Sequence, residues 1–225
     1  MTRLDRPRVT VTYAQSLDGS IAARAGVPLS LSGTESMQYT HQLRAAHDAI
    51  LVGIGTVLSD DPRLNVRLVK GASPRPIVLD RELRCPIDAR CLEVSRRPIV
   101  ITTDRAADDR RRALEAEGVT VLSVPTSLDQ ETHLDLSAVL DRLLGEAIRS
   151  VMVEGGARVI TSFLRARLVD WLVITIAPVL VGGLHGLIDL VADDVHGFPR
   201  LQHTTWRKFG NDWVVAGFPD WSHAS

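Results

Sequence analysis

The chain has few of the residues from which metal centres, disulfide frameworks and covalent active sites are built. Of its 225 residues only Cys85 and Cys91 are cysteines, and their spacing matches neither CxxC nor a zinc-ligand pattern. The seven histidines form no HxxxH or HExxH motif, and no GxSxG segment marks a nucleophilic serine. The sequence therefore predicts no metal site, cysteines that are structural or incidental, and no covalent catalysis.

Long hydrophobic runs are also missing. A membrane-spanning helix needs roughly 18 or more uninterrupted apolar residues, and the richest stretch, residues 168–181, is broken by Asp170 and Pro178. The N-terminal segment MTRLDRPRVT lacks the apolar centre of a signal peptide. With a formal net charge of −1, nothing in the overall charge favours nucleic acid or a membrane as a partner. A cytoplasmic protein is expected.

Strand-like and helical segments alternate along the chain, which is typical of an α/β protein with helices on the faces of a central sheet. Helices are expected at residues 34–46, 106–117, 136–148 and 157–165. Strands are expected at residues 9–14, 49–52, 77–79, 99–102, 120–124, 150–153, 172–177 and 213–218. Trp206 and Trp213 flank Gly210-Asn211-Asp212, which predicts a terminal β-hairpin that turns at Asn211. Because no Ser- or Pro-rich linker divides the chain, residues 1–225 are expected to form a single domain.

Two junctions between an apolar strand and glycine are the most informative feature. Gly53 and Gly55 follow Ile50-Leu51-Val52, and Gly155 and Gly156 follow Val151-Met152-Val153-Glu154. Such glycines let the backbone approach a ligand and expose helix-start N–H groups where anions bind. Two such junctions in one domain predict a nucleotide site with phosphates, and the hydroxyl of Thr56 adds a donor for phosphate or ribose. An ordinary Rossmann site is disfavoured, because Leu58 stands where the dinucleotide fingerprint has its third glycine.

Carboxylates follow two of the predicted strands. Glu154 stands at the carboxyl edge of the sheet, where α/β ligands bind, although a helix-start carboxylate favoured by the dipole is an alternative. Asp18 precedes Gly19 after the first strand, which an ordinary Asp-Gly turn also explains. Asp60 and Asp61 precede Pro62 and indicate a turn that ends a short helix; a magnesium site would need further oxygen ligands.

Basic residues lie close to the same loops. Arg44, Arg63 and Arg67 are solvated surface charges if taken singly, and together they form a candidate phosphate clamp, because arginine makes bidentate contacts. His41 and His47 lie on or beside one predicted helix and are expected to be exposed. Nucleotide loops, isolated carboxylates and no nucleophile suit hydride transfer, in which a cofactor carries the difficult chemistry.

Five segments in order resemble one enzyme family: SLDG (residues 16–19), LRAAHDAILVGIGTVLSDDPRLNVR (43–67), VLD (78–80), VEGGARV (153–159) and IAPVLVGG (176–183). Over residues 9–218 the chain resembles the riboflavin-pathway pyrimidine reductases. These occur as the reductase half of bifunctional deaminase–reductases and as free-standing 2,5-diamino-6-ribosylamino-pyrimidinone 5′-phosphate reductases. The deaminase half requires zinc motifs, HxE and PCxxC, that this sequence lacks, so no deamination is expected.

The resemblance implies a dihydrofolate-reductase-like α/β fold with a mostly parallel sheet and a C-terminal antiparallel hairpin. It also implies a homodimer and NADPH-dependent reduction of a ribosylamino-pyrimidine 5′-phosphate to the ribitylamino form. Whether that pyrimidine is already deaminated stays open. Another pterin- or pyrimidine-like substrate such as dihydrofolate is an alternative, as is a non-catalytic nucleotide-binding module.

Site residues are implied by the resemblance and by the two glycine bends. Cofactor contacts are expected from Ala14, Gly53, Gly55, Thr56, Asp60, Gly155, Gly156, Ala157, Arg158, Val159 and Ile160, with Arg81 and Thr103 as candidates for the 2′-phosphate because they follow predicted strands. Substrate contacts are expected from Arg44, Leu64, Arg67 and Glu154. Proton transfer needs a nearby acid, and Asp18 and Glu154 are the two candidates. All of this requires the two glycine bends to meet across a single crevice.

Overall fold

Nine strands form one sheet in the described part of the computed structural model, which covers residues 5–27, 29–93, 97–127, 133–188, 190 and 198–222. In chain order the strands are β1 (Arg8–Ser16), β2 (Ser20–Ala22), β3 (Ala49–Gly53), β4 (Arg75–Leu79), β5 (Ile99–Thr102), β6 (Thr120–Ser123), β7 (Ser150–Val153), β8 (Trp171–Ala177), β9 (Leu184–His185), β10 (Arg200–Phe209) and β11 (Asp212–Asp220). The helices are α1 (Thr34–Ala45), α2 (Ile54–Asp60), α3 (Asp108–Ala116), α4 (Leu136–Gly145) and α5 (Ala157–Arg165).

The order of strands in the large sheet is β10-β11-β8-β1-β7-β3-β4-β5-β6. Neighbours from β8 to β6 run parallel, and β11 and β10 continue the sheet antiparallel. The expected α/β fold with a mostly parallel sheet and an antiparallel C-terminal hairpin is therefore confirmed. A separate pair, β2 and β9, joins the loops that follow β1 and β8.

Helices cover both faces of the sheet because its central strands are apolar on both sides. In β3, Leu51 packs with α4 and α5, whereas Ile50 and Val52 pack in a second cluster with α2 and α3. All three are fully buried, as expected for a parallel strand between two layers. Helix α1 lies on the α2 and α3 side, where Tyr39 and Leu43 contact β8 and β11.

The terminal hairpin turns at Gly210 and Asn211, as predicted, and it also caps α1. The carboxylate of Asp212 accepts the Gly33 amide N–H at 2.7 Å and the hydroxyl of Ser36. No side chain local to Gly33 caps this helix, so the capping oxygen comes from the sheet instead. Since Asp212 is buried, this contact fixes the start of α1 to the edge of β11.

The short helix α2 ends as the Asp60-Asp61-Pro62 sequence indicates. Asp61, its C-cap, has a left-handed backbone with φ 40° and precedes the proline that cannot continue a helix. Helix α3 begins two residues later than predicted, at Asp108, and the left-handed Gly118 follows its end.

The ends of β3 and β7 are held together by one side chain. A Cβ atom on Gly53 would lie 2.7 Å from Cγ2 of Val159, and a Cβ on Gly155 would lie 2.6 Å from Cβ of Val159. Both distances are far shorter than a van der Waals contact. Val159 of α5 therefore occupies the space that side chains at these two glycines would need, and the strand ends and the helix start can only pack this closely with glycine there.

Both cysteines are buried packing residues in the cluster around α2 and α3. Burial raises the pKa of Cys85 to about 12 and that of Cys91 to about 11, so both thiols stay protonated and unreactive at neutral pH. None of the helices within the described ranges has the length and hydrophobicity needed to cross a lipid bilayer.

The packing of Val159 predicts different outcomes for three glycines. Gly53→Ala is expected to lower the free energy of unfolding by about 1–3 kcal/mol through overpacking, and adding Val159→Ala removes Cγ2 and relieves the clash. Gly155→Ala is not rescued in this way, because it meets Cβ of Val159, which alanine retains.

Gly55→Ala is the control, since nothing lies within 4 Å of its added Cβ. It is expected to leave stability unchanged or to raise it by about 0.5–1 kcal/mol. Urea unfolding of the single and double variants measures the coupling. Equal losses for Gly53→Ala with and without Val159→Ala would contradict this account of the packing.

Candidate active site

The two glycine bends predicted from the sequence meet at the carboxyl edge of the sheet. Strands β3 and β7 are neighbours, and the Glu154 amide donates to the carbonyl of Leu51 at 2.9 Å just before the bends. Beyond them, Gly156 lies beside Thr56 of α2, whose hydroxyl would be 3.6 Å from a Cβ at that glycine. The starts of α2 and α5 therefore lie side by side.

The glycines serve two different purposes in this arrangement. Gly53 and Gly155 make room for Val159, which is a packing reason for glycine at these positions. Their expected approach to a ligand stays a prediction. Gly55 and Gly156 have no such close contact, so they are the glycines beside which a ligand can lie.

The N-terminus of α5 is open to an anion. Its N-cap, Gly156, has no side chain that accepts from the first turn, and the amides of Ala157 and Arg158 lie in that turn. The side chain of Ile160, in contrast, is fully buried in the core and points away from solvent. Only its backbone is therefore available to a cofactor.

A cleft of about 1000 Å³ opens next to this helix start. Arg158, Val159 and Arg165 of α5 line one side, and Arg81 after β4 lines another; the rest is Ile54, Leu79, Glu82, Arg84, Ser127, His133, Leu134, Asp135, Leu136, Ser137, Ser162 and Ala166. The volume is at the upper end of the roughly 300–1,000 Å³ of small-molecule and cofactor sites. Its volume and its arginines fit a ligand of dinucleotide size that carries phosphates.

Positive charge is concentrated in this cleft. The pKa of His133 is lowered, first by burial and then by the nearby charges of Arg158 and Arg165. Arg81 is half-exposed and forms an ion pair with Glu82. Thr103, expected to contact a 2′-phosphate, is buried and donates its hydroxyl to the Arg81 carbonyl at 3.3 Å. Thr103 therefore holds the backbone of Arg81, and its hydroxyl proton is already used in that bond.

Two of the predicted substrate residues bind each other. Arg44 of α1 makes a bidentate ion pair with Glu154, with Nε to Oε1 at 2.7 Å and a terminal nitrogen to Oε2 at 2.6 Å. The other terminal nitrogen of Arg44 donates to the carbonyl of Asn65 at 3.1 Å. Only 10% and 16% of the two side chains are exposed. Arg44 therefore has few donors left for a phosphate, and its main effect is to orient Glu154 and the loop at Asn65.

The exposed arginines of this region lie in the loop between α2 and β4. Arg67 and Arg63 are exposed, and Arg67 contacts the side chain of Asn65 at 3.3 Å. Burial lowers the pKa of Arg67 first, and the positive charges of Arg44 and Arg63 lower it further. Such mutual repulsion between arginines is relieved by an anion, as the phosphate-clamp hypothesis requires.

The same loop contains two strained residues. Asp61 and Leu64 have φ of 40° and 53°, a left-handed conformation that L-residues other than glycine avoid. The side chain of Leu64 is buried among core residues, which leaves its backbone for the predicted contact with the substrate. Strained backbone of this kind clusters at functional sites.

Asp18 ties two loops together. Its carboxylate accepts from the hydroxyls of Ser16 and Ser20 at 2.5 and 3.0 Å, and from the amides of Val181 and Gly182 at 3.0 and 2.6 Å. These bonds, that of Ser16 first, hold the pKa of Asp18 far below its usual range. A carboxylate so stabilised makes a poor proton donor, which weighs against the acid role considered for Asp18.

Ala14 and Asp60 are the two remaining predicted cofactor contacts. Strand β1 pairs with β7 only as far as Val11, which lies opposite Val153, and Ala14 lies beyond the end of that pairing. Asp60 is exposed at the last position of α2.

The sequence interpretation missed His41. It was expected to be exposed, but its side chain is fully buried, with Nδ1 accepting the Arg67 amide at 3.1 Å and Nε2 at 3.5 Å from Arg44. His47 is half-buried, with its ring nitrogens on the Leu43 carbonyl and the Thr10 hydroxyl. The i, i+3 spacing of His41 and Arg44 on one helix was the available signal.

Fold and site together define an α/β domain of the dihydrofolate-reductase-like class, in which two helix starts meet at the carboxyl edge of a mostly parallel sheet. A family model described as the RibD C-terminal domain matches residues 7–215, and the chain belongs to this family. One relative is a 2,5-diamino-6-ribosylamino-4(3H)-pyrimidinone 5′-phosphate reductase of Methanothermobacter thermautotrophicus, which is 39% identical to this chain. The match covers 93% of this chain and 97% of that relative.

RibD, a riboflavin biosynthesis protein of Aquifex aeolicus, is 32% identical over 94% of this chain, but the chain spans only 57% of that relative. Among solved structures, the riboflavin biosynthesis reductase Rib7 of Saccharomyces cerevisiae has a TM-score of 0.79 at 32% identity, covering 98% of this chain and 93% of its own. Dihydrofolate reductase from Enterococcus faecalis has a TM-score of 0.51 at 14% identity, covering 95% of this chain and 96% of its own. It shares the fold alone, which confirms the expected dihydrofolate-reductase-like architecture.

The burial of His41 predicts a pH-dependent stability. Burial first, then the charges of Arg44 and Arg67, lower its pKa from 6.5 to about 4, so the unfolded chain binds more protons between these values. The free energy of unfolding should therefore fall as the pH drops from about 6.5 towards about 4. His41→Asn, which cannot titrate, should flatten that part of the urea-unfolding profile. An unchanged slope in the variant would show that other groups cause it.

Proposed function

We propose that the chain is an NADPH-dependent reductase that converts a ribosylamino-pyrimidine 5′-phosphate into its ribitylamino form in riboflavin biosynthesis. One observation carries the proposal: the arginine-lined cleft beside α5 adjoins the cluster of Arg44, Arg67 and Glu154 at one edge of the sheet. The names of relatives that this chain spans almost completely support the same reaction. Deamination is not part of the proposal, because the zinc motifs are absent from the sequence.

The residues present fit NADPH. The open first turn of α5, at Ala157 and Arg158, suits a pyrophosphate, and Arg81 and Arg165 add positive charge farther along the cleft. When bound, the nicotinamide supplies hydride to the carbon that was the anomeric carbon of the ribose. The protein's part is to hold the two reactants in line, which alone lowers a barrier by on the order of 7 kcal/mol or more in favourable cases.

The substrate phosphate is assigned to Arg67 and Arg63, the exposed arginines of the loop after α2. Arg44 supports them indirectly, since its bidentate bond orients Glu154 and its third bond holds the carbonyl of Asn65. Both oxygens of Glu154 act as acceptors in that pair. Each oxygen keeps a further acceptor position, so Glu154 is proposed to accept a hydrogen bond from the sugar or from a water molecule that relays the reaction's proton.

The proposal includes the larger context of the enzyme. Residues 1–225 are taken as one reductase domain that works as a cytoplasmic homodimer, with a phosphorylated pyrimidine and NADPH as its small-molecule partners.

A substrate panel tests the reaction. The purified protein is given NADPH or NADH with the diamino pyrimidine phosphate, its deaminated form, the dephosphorylated pyrimidine or dihydrofolate. Consumption of NADPH is expected with a phosphorylated pyrimidine, and loss of the phosphate should lower kcat/KM by about 10–100-fold, the value of one or two charge-assisted bonds. A preference for dihydrofolate overturns the proposal, and NADPH binding without turnover of any compound favours the binding module.

Glu154→Gln is expected to lower kcat by about 100-fold, since it breaks the bidentate pair and removes the proton-relay carboxylate. The Kd for NADPH should stay within about twofold, because the cleft residues are untouched. Glu146→Gln is the matched control, as Glu146 pairs with Arg75 at 3.0 Å at the amino end of β4. Wild-type kinetics in Glu154→Gln would exclude Glu154 from the mechanism.

A further inference from the structure

The buried imidazole of His41 contacts the backbone of the candidate phosphate site but has no surface exposed to a ligand. His41 is fully buried in α1, and its Nδ1 atom accepts the backbone N–H of Arg67 at 3.1 Å. One helical turn along, Arg44 donates to the Asn65 carbonyl at 3.1 Å. Side chains of α1 therefore form hydrogen bonds to the backbone of the loop after α2 at two residues, 65 and 67.

The loop needs such support because its own conformation is unfavourable. Asp61 and Leu64 are both left-handed, so the segment leading to Arg67 is strained. The bonds from α1 hold it against relaxation, and the amide of Val66 adds a bond to the hydroxyl of Ser73 at 3.1 Å. The position of the Arg67 guanidinium thus depends on where its backbone is fixed.

The chemistry of the site requires a neutral acceptor at this point. The charged groups that face His41 are Arg44 on its own helix, Arg67 in the loop and Glu154 after β7. A neutral imidazole can accept an N–H at Nδ1, whereas a lysine or arginine here has no acceptor and would repel both guanidinium groups. No further ligand-facing role is available to His41, since its ring has no exposed surface.

We propose that His41 is a positioning residue for the substrate phosphate, whose Nδ1 acceptor fixes the Arg67 backbone so that the guanidinium is preassembled for the anion. This rests on the proposed function only in naming the anion as a sugar 5′-phosphate. The acceptor at Nδ1 does the work, so the ring itself is replaceable by any neutral side chain with an acceptor at the same place.

Two polar, uncharged variants separate this role from simple packing. Asparagine places its amide oxygen near the position of Nδ1, so His41→Asn keeps an acceptor for the Arg67 amide. Glutamine places its amide near Nε2, toward Arg44, so His41→Gln loses that acceptor. Binding of ribose 5-phosphate, measured by calorimetry, should weaken about tenfold in His41→Gln and stay within about threefold of wild type in His41→Asn.

A double-variant cycle shows whether the effect runs through Arg67. Arg67→Ala should weaken ribose 5-phosphate binding, and His41→Gln should add little to it, because the residue that His41 positions is already gone. Additive losses would overturn the inference, as would equal binding by the wild type and His41→Gln. If His41→Gln does not fold, the cycle is run with His41→Asn and His41→Ser, whose hydroxyl is too short to reach the Arg67 amide.

Calorimetry keeps this inference distinct from the proposed reaction. If no pyrimidine is turned over but ribose 5-phosphate binding follows the expected pattern, the reaction proposal fails and the role of His41 stands. If the pyrimidine is reduced but the two His41 variants bind ribose 5-phosphate alike, the reaction stands and the role of His41 is rejected. In the reductase assay, the loss in His41→Gln should appear in KM for the phosphorylated substrate and vanish with the dephosphorylated one.

Discussion

The contact of Val159 with two glycines is the constraint on which the geometry of the site depends. Because Gly53 and Gly155 carry no side chains, the ends of β3 and β7 can both close on the first turn of α5. That closure places Gly156 beside Thr56 and brings two helix starts to one point of the sheet edge. The cleft with its arginines then lies directly beside backbone amides that favour negative charge.

The ion pair between Arg44 and Glu154 connects this region to the rest of the site. It links α1 to the residue after β7, and a third bond from Arg44 reaches the loop at Asn65. A pair as buried as this one contributes little net stability, since desolvation offsets its attraction. Its value lies in orientation, because a bidentate guanidinium fixes the plane of the carboxylate.

The sequence predicted the parts of the fold whose pattern is local. The apolar run before Gly53 and the run before Glu154 each determine a buried strand and a bend, and sheet order then brings the bends together. Contacts across 110 residues, such as the pair of Arg44 and Glu154, depend on that order and have no local signature. The burial of His41 in α1 was missed for another reason. Polar side chains are expected to face solvent, and this expectation wrongly places His41 on the surface.

The cap that Asp212 gives to α1 has a consequence for biosynthesis. The carboxylate is separated from Gly33 by 179 positions, and ribosomes add roughly 5–20 residues per second, so the nascent helix waits on the order of 10 to 35 seconds for its cap. During that interval the segment that carries His41 and Arg44 has neither its cap nor the strand beneath it. Translation therefore completes the edge of the sheet that carries the pair of Arg44 and Glu154 as one of the last parts of the molecule.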